Sequence, residues 1–307
     1  MKDYTYSVAR IRAMEASLMS RQDIEQLISS SDYSGAERLL KDKGVGLSEN
    51  ELWQQLDGIA DEEITRVLKL PIDYHNIKAS VKSVFSDTPA EDLLKDFGTT
   101  DKNLIYDAAK SREYSLLEQD LADTAEQAMK LLLRTHDGQL CDLFVDNAGL
   151  SALEKAAAET DDEFIKSYAT LIADTANLRT AFRCAIMGKN RSFIENALYD
   201  GGSLNSDMIA SAAEGGTDSF YEYVNSTAYS DGAQYIKESP YLFEKWCDDR
   251  ITEFIATAKF DCFSAAPIIA YAYAKRMELK TVRLILSAKQ SGLDSNIIRE
   301  RVRRLYE

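Results

Sequence analysis

Asp73-Tyr74-His75-Asn76-Ile77-Lys78 returns further along the chain as Asp174-Thr175-Ala176-Asn177-Leu178-Arg179, and again as Glu278-Leu279-Lys280-Thr281-Val282-Arg283. Each version reads acid, two variable residues, Asn or Thr, an apolar residue, then Lys or Arg. Four positions beyond the apolar residue stands another: Val81, Phe182 and Leu286. A step of four keeps both side chains on one face of a helix, so the pattern predicts three related amphipathic helices.

The likeness extends outward from these cores. Asp96-Phe97-Gly98-Thr99 leads to Leu104-Ile105 and Ala108-Ala109, and Asp200-Gly201-Gly202-Ser203 leads to Met208-Ile209 and Ala212-Ala213. A shortened echo in the third copy is Ser291-Gly292-Leu293 followed by Ile297-Ile298. Several matches in one order at nearly constant offset predict a threefold internal repeat, with copies at 1–110, 111–215 and 216–307. The N-terminal helix is a candidate to pack with the C-terminal repeat. The period exceeds the 20–50 residues of helical solenoid units, so each copy is read as a small helical bundle with its own core. Equivalent neighbour contacts then arrange the three similar bundles in a pseudo-threefold ring, arc or funnel.

Composition agrees with an all-α fold. The 307 residues are 45% hydrophobic, with 16 Tyr and 11 Phe to fill a core and only four Pro and 14 Gly to interrupt helices. Helix starts are read at Ser34-x-x-Glu37, Ser48-x-x-Glu51, Thr88-Pro89-x-Glu91, Ser151-x-x-Glu154, Thr160-x-x-Glu163 and Ser239-Pro240. Apolar stripes follow at helical spacing: Leu52, Leu56, Ile59; Leu117, Leu121, Ala125, Ala128, Leu132; Phe164, Tyr168, Leu171. Glycines near 98, 138, 149, 201–202, 215–216 and 232 are read as breaks between helices. Sustained alternation of apolar and polar residues, the mark of a strand, is missing.

The net charge of −15 argues against nucleic acid and against adsorption to anionic lipid, since both need a basic surface. No signal sequence and no membrane-spanning run are read. The longest apolar stretch, Ala265 to Ala274, contains Pro267 and reads as a buried helix. Cys141, Cys184, Cys247 and Cys262 are far apart and are expected to be reduced thiols of a cytoplasmic protein.

Catalytic motifs do not emerge. Gly188-Lys189 is followed by Asn190 and lacks the preceding glycine of a phosphate-cradling loop. Asp161-Asp162-Glu163-Phe164-Ile165 and Asp248-Asp249-Arg250-Ile251-Thr252 both miss the last carboxylate of the DDxxD pattern used by helical isoprenoid synthases. His75 and His136 stand away from other metal-ligating residues. No catalytic residue, cofactor or metal is expected.

The N-terminal run Tyr4-x-Tyr6-Ser7-Val8-Ala9-Arg10-Ile11-Arg12-Ala13-Met14-Glu15 resembles a family opening of the form Tyr-x-x-Ala-Arg-Ile-Arg-Ala-x-Glu. It continues through Leu18-Met19-Ser20-Arg21-x-Asp23-Ile24-Glu25-x-Leu27. Asp73 to Lys78, and Glu278 to Lys289, are similar to two further motifs of that family, with Thr281 where Asn and Ala288 where Gly is usual. The family is the C subunit of the archaeal and bacterial V/A-type ATPases, counterpart of the d subunit of the eukaryotic vacuolar enzyme.

The resemblance implies a three-domain helical funnel. It implies a non-catalytic central-stalk rotor subunit that sits on the membrane proteolipid ring and receives the central shaft, the D subunit with its companion F. The protein would be cytoplasmic and peripheral to the membrane, coupling ATP to ion transport without a membrane span of its own. A threefold protein cannot match a ring of different copy number contact for contact, so few, adaptable or water-bridged contacts are expected there. An unrelated helical scaffold or adaptor is the alternative.

Two readings attach to the repeated cations. Lys78, Arg179 and Arg283, with Asn76 and Asn177 beside them, either line the shaft socket or belong to the packing of the repeats. In the packing reading the cations pair with Asp73, Asp174 and Glu278. The basic end, with Arg299 and Arg303, is either a solvated helix terminus or a docking contact.

Overall fold

A computed structural model describes residues 3–306 and is all-α, with sixteen α-helices and no strand among the described residues. In chain order the first four helices are α1 (Thr5–Glu15), α2 (Arg21–Ser29), α3 (Tyr33–Asp42) and α4 (Asn50–Leu56). Next come α5 (Glu62–Ser86), α6 (Lys102–Ser111), α7 (Gln119–Thr135), α8 (Gly138–Glu159), α9 (Glu163–Met187), α10 (Arg191–Ala197), α11 (Ser206–Glu214) and α12 (Thr217–Asn225). The last four are α13 (Ala233–Glu238), α14 (Pro240–Ala256), α15 (Ala266–Gln290) and α16 (Ser295–Arg301). The described residues form two compact units, one of residues 61–230 and one of residues 3–60 with 231–306.

In the 61–230 unit two long helices organise the rest. α5 packs against α6, α7 and α8, and α9 packs against α8, α10, α11 and α12. Ile77, Val81 and Ile105 of the first group, and Leu178, Ala181 and Ile209 of the second, are fully buried. Each buried aliphatic side chain contributes roughly 1.5–3 kcal/mol. Gly149 lies inside α8 and does not break it. A Cβ there would meet Tyr74 of α5 at 3.2 Å, so the glycine sets the approach of two helices.

In the other unit α15 is the central helix. Its first turns, from Ala266 to Ala274, are almost wholly buried, with Pro267 in the first turn where its missing N–H costs nothing. Met19, Ile24, Leu27, Ile28, Ala36 and Leu40 from the N-terminal helices share one core with Val282, Ile285, Leu286 and Ile298 from the C-terminal ones.

The helix starts differ from the capping boxes read in the sequence. Asp32, Asp61, Asp101, Asp137, Asp162 and Asp294 cap helices through their carboxylates, as Asn190 and Asn205 do through their amide oxygens. Ser34 and Ser151 lie within helices, Thr88-Pro89 opens a turn, and Thr160 turns its hydroxyl back to the Ala157 carbonyl. With 51 acidic residues, Ser or Thr three places before Glu recurs without capping meaning. Ser239-Pro240 does start α14, its hydroxyl accepting the Tyr241 N–H.

The third-copy echo also changes place. Ile298 on α16 follows the left-handed Gly292 at the same spacing at which Ile194 on α10 follows the left-handed Gly188. Both isoleucines are fully buried. α16 is therefore the counterpart of α10, and the helix that answers to α6 and α11 lies elsewhere.

Candidate functional site

The repeated motif sits at the middle of α5, α9 and α15. Its acid is buried in every copy: Asp73 and Asp174 are 0% exposed and Glu278 is 4%. A buried carboxylate needs donors, and these come from the chain just before a short helix. Asp73 accepts the Thr99 N–H at 3.0 Å, the Thr100 N–H at 3.1 Å and the Thr99 hydroxyl. Asp174 accepts the Ser203 N–H at 2.8 Å, the Leu204 N–H at 3.2 Å, the Ser203 hydroxyl and the Tyr229 hydroxyl. Glu278 accepts the Met19 N–H at 2.6 Å.

Thr100, Leu204 and Met19 each immediately precede a helix N-cap: Asp101 of α6, Asn205 of α11 and Ser20 of α2. Behind those caps Ile105, Ala108 and Ala109 match Ile209, Ala212 and Ala213, and both match Ile24, Leu27 and Ile28, all buried. The counterpart of α6 and α11 in the third copy is thus α2, from the opposite end of the chain. Glu replaces Asp there, and its extra methylene supplies reach.

Asn76 and Asn177 act beside the acids. Asn76 donates to the Lys95 carbonyl at 2.9 Å and accepts the Lys95 N–H at 2.8 Å, and Asn177 brackets Tyr199 in the same way, at 2.9 Å for both bonds. A carboxamide can serve one peptide unit as donor and acceptor together. Thr281, with a single hydroxyl, cannot form such a bracket, and it is buried in the third copy.

The motif cations are not paired with the motif acids. Lys78 reaches Asp146 of α8 at 2.7 Å, the Arg179 Nε–H donates to the Thr175 carbonyl of its own helix at 3.1 Å, and Arg283 donates to the Leu47 carbonyl. Lys78 and Arg283 bond away from Asp73 and Glu278, whose oxygens take backbone N–H groups, the Thr99 hydroxyl at Asp73 and the Lys275 ammonium at Glu278. Burial pushes the Asp73 carboxyl above its ordinary value, and the bonds from Thr99 and Thr100 oppose that rise.

The basic C-terminal end splits into an exposed and a buried part. Arg299 is exposed and pairs with Glu25 of α2. Arg303 is 9% exposed, pairs with Asp248 at 3.1 Å and donates to the Tyr241 hydroxyl and the Arg301 carbonyl. Lys280 joins the same Asp248 at 2.8 Å. A groove of about 520 Å³ runs beside this cluster, with Arg21, Lys245, Arg299, Arg303 and Arg304 in its lining. Arg303 is a packing ion, whereas Arg299 is open to solvent.

Arg12, part of the family-like opening, has a structural role of its own. Its guanidinium holds three backbone carbonyls of the segment before α15, a role that no spacing announces because any carbonyl can accept.

No group of His, Cys, Asp and Glu able to hold a metal occurs among the described residues. The His75 Nε2 lies 3.0 Å from the Leu93 carbonyl, and burial lowers its pKa. His136 ends α7 in a left-handed conformation with its ring edge-on to Phe85. No helix among the described residues is long and apolar enough to cross a membrane.

Residues 50–301 match the family model described as ATP synthase (C/AC39) subunit. The chain is 22% identical to the C subunit of the V-type sodium ATPase of Enterococcus hirae over 97% of both proteins. It is 25% identical to the C subunit of the A-type ATP synthase of a Desulfurococcus species, covering 97% of this chain and 90% of that one. To the C subunit of the A-type ATP synthase of Haloquadratum walsbyi the identity is 26%, over 96% of each. These matches set aside the unrelated scaffold, and the chain belongs to the ATP synthase (C/AC39) subunit family, the C subunits of the V-type and A-type ATPases.

Proposed function

We propose that this chain is the non-catalytic central-stalk rotor subunit of a V/A-type ATPase, coupling the central shaft to the membrane proteolipid ring for ATP-linked ion transport. The observation that carries this reading is family membership along nearly the whole chain. The buried clamps give it a physical basis. A coupler transmits torque by stiffness, and close-packed helices whose short partners are pinned by buried carboxylates deform little.

In this reading three helical bundles form a pseudo-threefold funnel that is peripheral to the membrane. Its open side takes the D shaft protein with F. Asn76, Asn177 and Arg303 serve packing, since they are buried and bonded within the chain. Arg283 and Arg299 are exposed, and Lys78 and Arg179 are half-buried, so the exposed pair is best placed to meet a partner. No cofactor is needed.

The test is recovery of the tagged chain from membranes, followed by identification of the bound proteins. The D shaft protein and a proteolipid are expected together. Recovery of neither, or nucleotide hydrolysis by the purified chain alone, overturns the proposal.

A further inference from the structure

The groove beside the C-terminal end departs in charge from the rest of the chain. The protein holds 51 Asp and Glu against 36 Lys and Arg, yet five cations and only two carboxylates, Glu25 and Asp249, line this groove. Arg21 and Glu25 come from α2, Lys245 and Asp249 from α14, Arg299 from α16, and Arg303 and Arg304 from the segment after it. All belong to one compact unit.

The cations are fastened unequally. Arg303 is fixed: it is 9% exposed, its Nε pairs with Asp248 at 3.1 Å, and its Nη1 donates to the Tyr241 hydroxyl and the Arg301 carbonyl. Its Nη2 has no partner among the described residues, so a buried guanidinium keeps two N–H bonds without an acceptor. Lys280 shares Asp248 at 2.8 Å, so that carboxylate cannot neutralise both cations. Asp249 accepts the Arg304 N–H at 2.6 Å, which seats the last residues against α14.

The other cations are held loosely. Arg299 and Arg304 are exposed and pair with Glu25 and Glu253. Exposed pairs of this kind are worth at most about 1 kcal/mol, so a stronger anion can take over either guanidinium. Lys245 is half-buried, and its charge reaches Asp249 one turn further along α14.

Size and chemistry select the ligand. A groove of about 520 Å³ lies within the range of small-molecule sites, roughly 300–1,000 Å³. Its cations converge from separate segments instead of following one helix face, which suits a compact ion over an extended acidic chain. A guanidinium fork matches a phosphate with two parallel bonds, and a diphosphate spreads its charge over two linked groups. Ile24, Ile28, Val302 and Leu305 complete the lining, and apolar walls strengthen charge contacts by thinning the water around them.

We infer that this groove binds a diphosphate group, free in solution or as part of a nucleotide, with the Arg303 Nη2 as its fixed donor. Arg21, Lys245, Arg299 and Arg304 supply the remaining charge. The bound anion bridges α2 to α14 and to the end of the chain. It thereby fastens the core that the first and last helices share, and it stabilises that unit in proportion to its concentration.

Isothermal titration of the full-length chain, without divalent metal, tests this. Inorganic diphosphate should bind about tenfold or more tightly than inorganic phosphate, and amide exchange in α2 and at residues 302–305 should slow when it is added. Lys245→Gln/Arg299→Gln should melt near the wild-type temperature without ligand and bind diphosphate about tenfold or more weakly. Lys110→Gln/Lys130→Gln removes equal charge from exposed sites of the other unit and should bind as wild type does. ADP that binds more tightly than diphosphate identifies a nucleotide as the source, and equal affinity identifies the free ion; both agree with the proposal. No binding at millimolar diphosphate, equal weakening in the two double variants, or equally tight binding of hexaglutamate overturns it. Binding to vesicles containing phosphatidylinositol phosphates, with none to diphosphate or ADP, overturns it in favour of a membrane surface. The rotor reading survives any of these results, since recovery of the shaft protein and proteolipid tests it separately.

Discussion

Glu278 on α15 accepts the backbone N–H of Met19 at 2.6 Å, with the Lys275 ammonium on its other oxygen. Two residues from opposite ends of the chain thus repeat the clamp that Asp73 makes to Thr100 and Asp174 makes to Leu204. Glu278→Ala leaves a buried N–H without an acceptor and a largely buried ammonium without its counter-ion. Urea unfolding should show a loss of about 3 kcal/mol, and Glu278→Gln, which keeps an acceptor, a smaller one. Unchanged stability in the alanine variant would show that the clamp does not hold α2 to α15.

Gly98 and Gly202 lie against the other two clamps. A Cβ would stand 2.1 Å from an Asp73 oxygen at position 98, and 2.3 Å from an Asp174 oxygen at position 202, where φ is also +82°. Gly98→Ala and Gly202→Ala should each cost roughly 1–3 kcal/mol or more through overpacking. Gly188→Ala has a left-handed φ of +60° and open space, so backbone strain of about 1 kcal/mol is all it should show. Thermal melts of the three variants rank the two effects, and a Gly98→Ala variant as stable as wild type contradicts the close approach.

Asp73 makes stability depend on pH in a stated direction. Burial raises its pKa above the ordinary 3.8, so the folded state holds the proton more tightly than the unfolded state. Its contribution is complete below that ordinary value and is lost as pH rises through the folded one. The stability of wild type minus that of Asp73→Asn should therefore shrink as pH rises from below that ordinary value toward neutrality. Chemical denaturation at a series of pH values measures it, and a difference that grows with pH reverses the sign.

Arg12→Lys keeps the charge and loses the fork. A lysine ammonium cannot span Glu15 and the carbonyls of Ala258, Lys259 and Asp261 together. Amide hydrogen exchange at Phe263 and Ser264 should accelerate, with a stability loss of about 1.5–3 kcal/mol. Exchange at wild-type rates would show that Asp261, which accepts both of those N–H groups, alone holds the turn.

The all-α class was legible because helical spacing survives in the stripes: Val81, Phe182 and Leu286, or Leu121, Ala125, Ala128 and Leu132, are all buried. The use of the motif was not legible. Its acids and amides bond to backbone atoms, and Thr99, Thr100, Ser203, Leu204 and Met19 share no side-chain pattern that a reader could match. The pairing of Asp73 with Lys78 and its counterparts was the natural expectation from charge alone. The partner of Glu278 escaped for a second reason. Matching at constant offset runs forward along the chain, while α2 lies before α15, so the spacing points to Ile297-Ile298, whereas Ile24, Leu27 and Ile28 are the residues that parallel Ile105, Ala108 and Ala109. Gly149 shows the same limit at one residue: a helix break and a close helix contact look identical until Tyr74 is placed beside it.

The sharing of one core by α2, α3, α15 and α16 has a consequence for biosynthesis. The helices α2 and α3 leave the ribosome without the surface that will cover Ile24, Leu27 and Leu40, because Val282, Ile285 and Ile298 are made only after the whole 61–230 unit. The 61–230 unit carries both halves of its own contacts and can fold while translation continues. The N-terminal helices must wait with apolar faces open, and closing so long a loop makes their docking the slow, non-local step. Nascent chains halted before residue 278 should therefore hold a protected middle and an amino end that proteases and chaperones still reach.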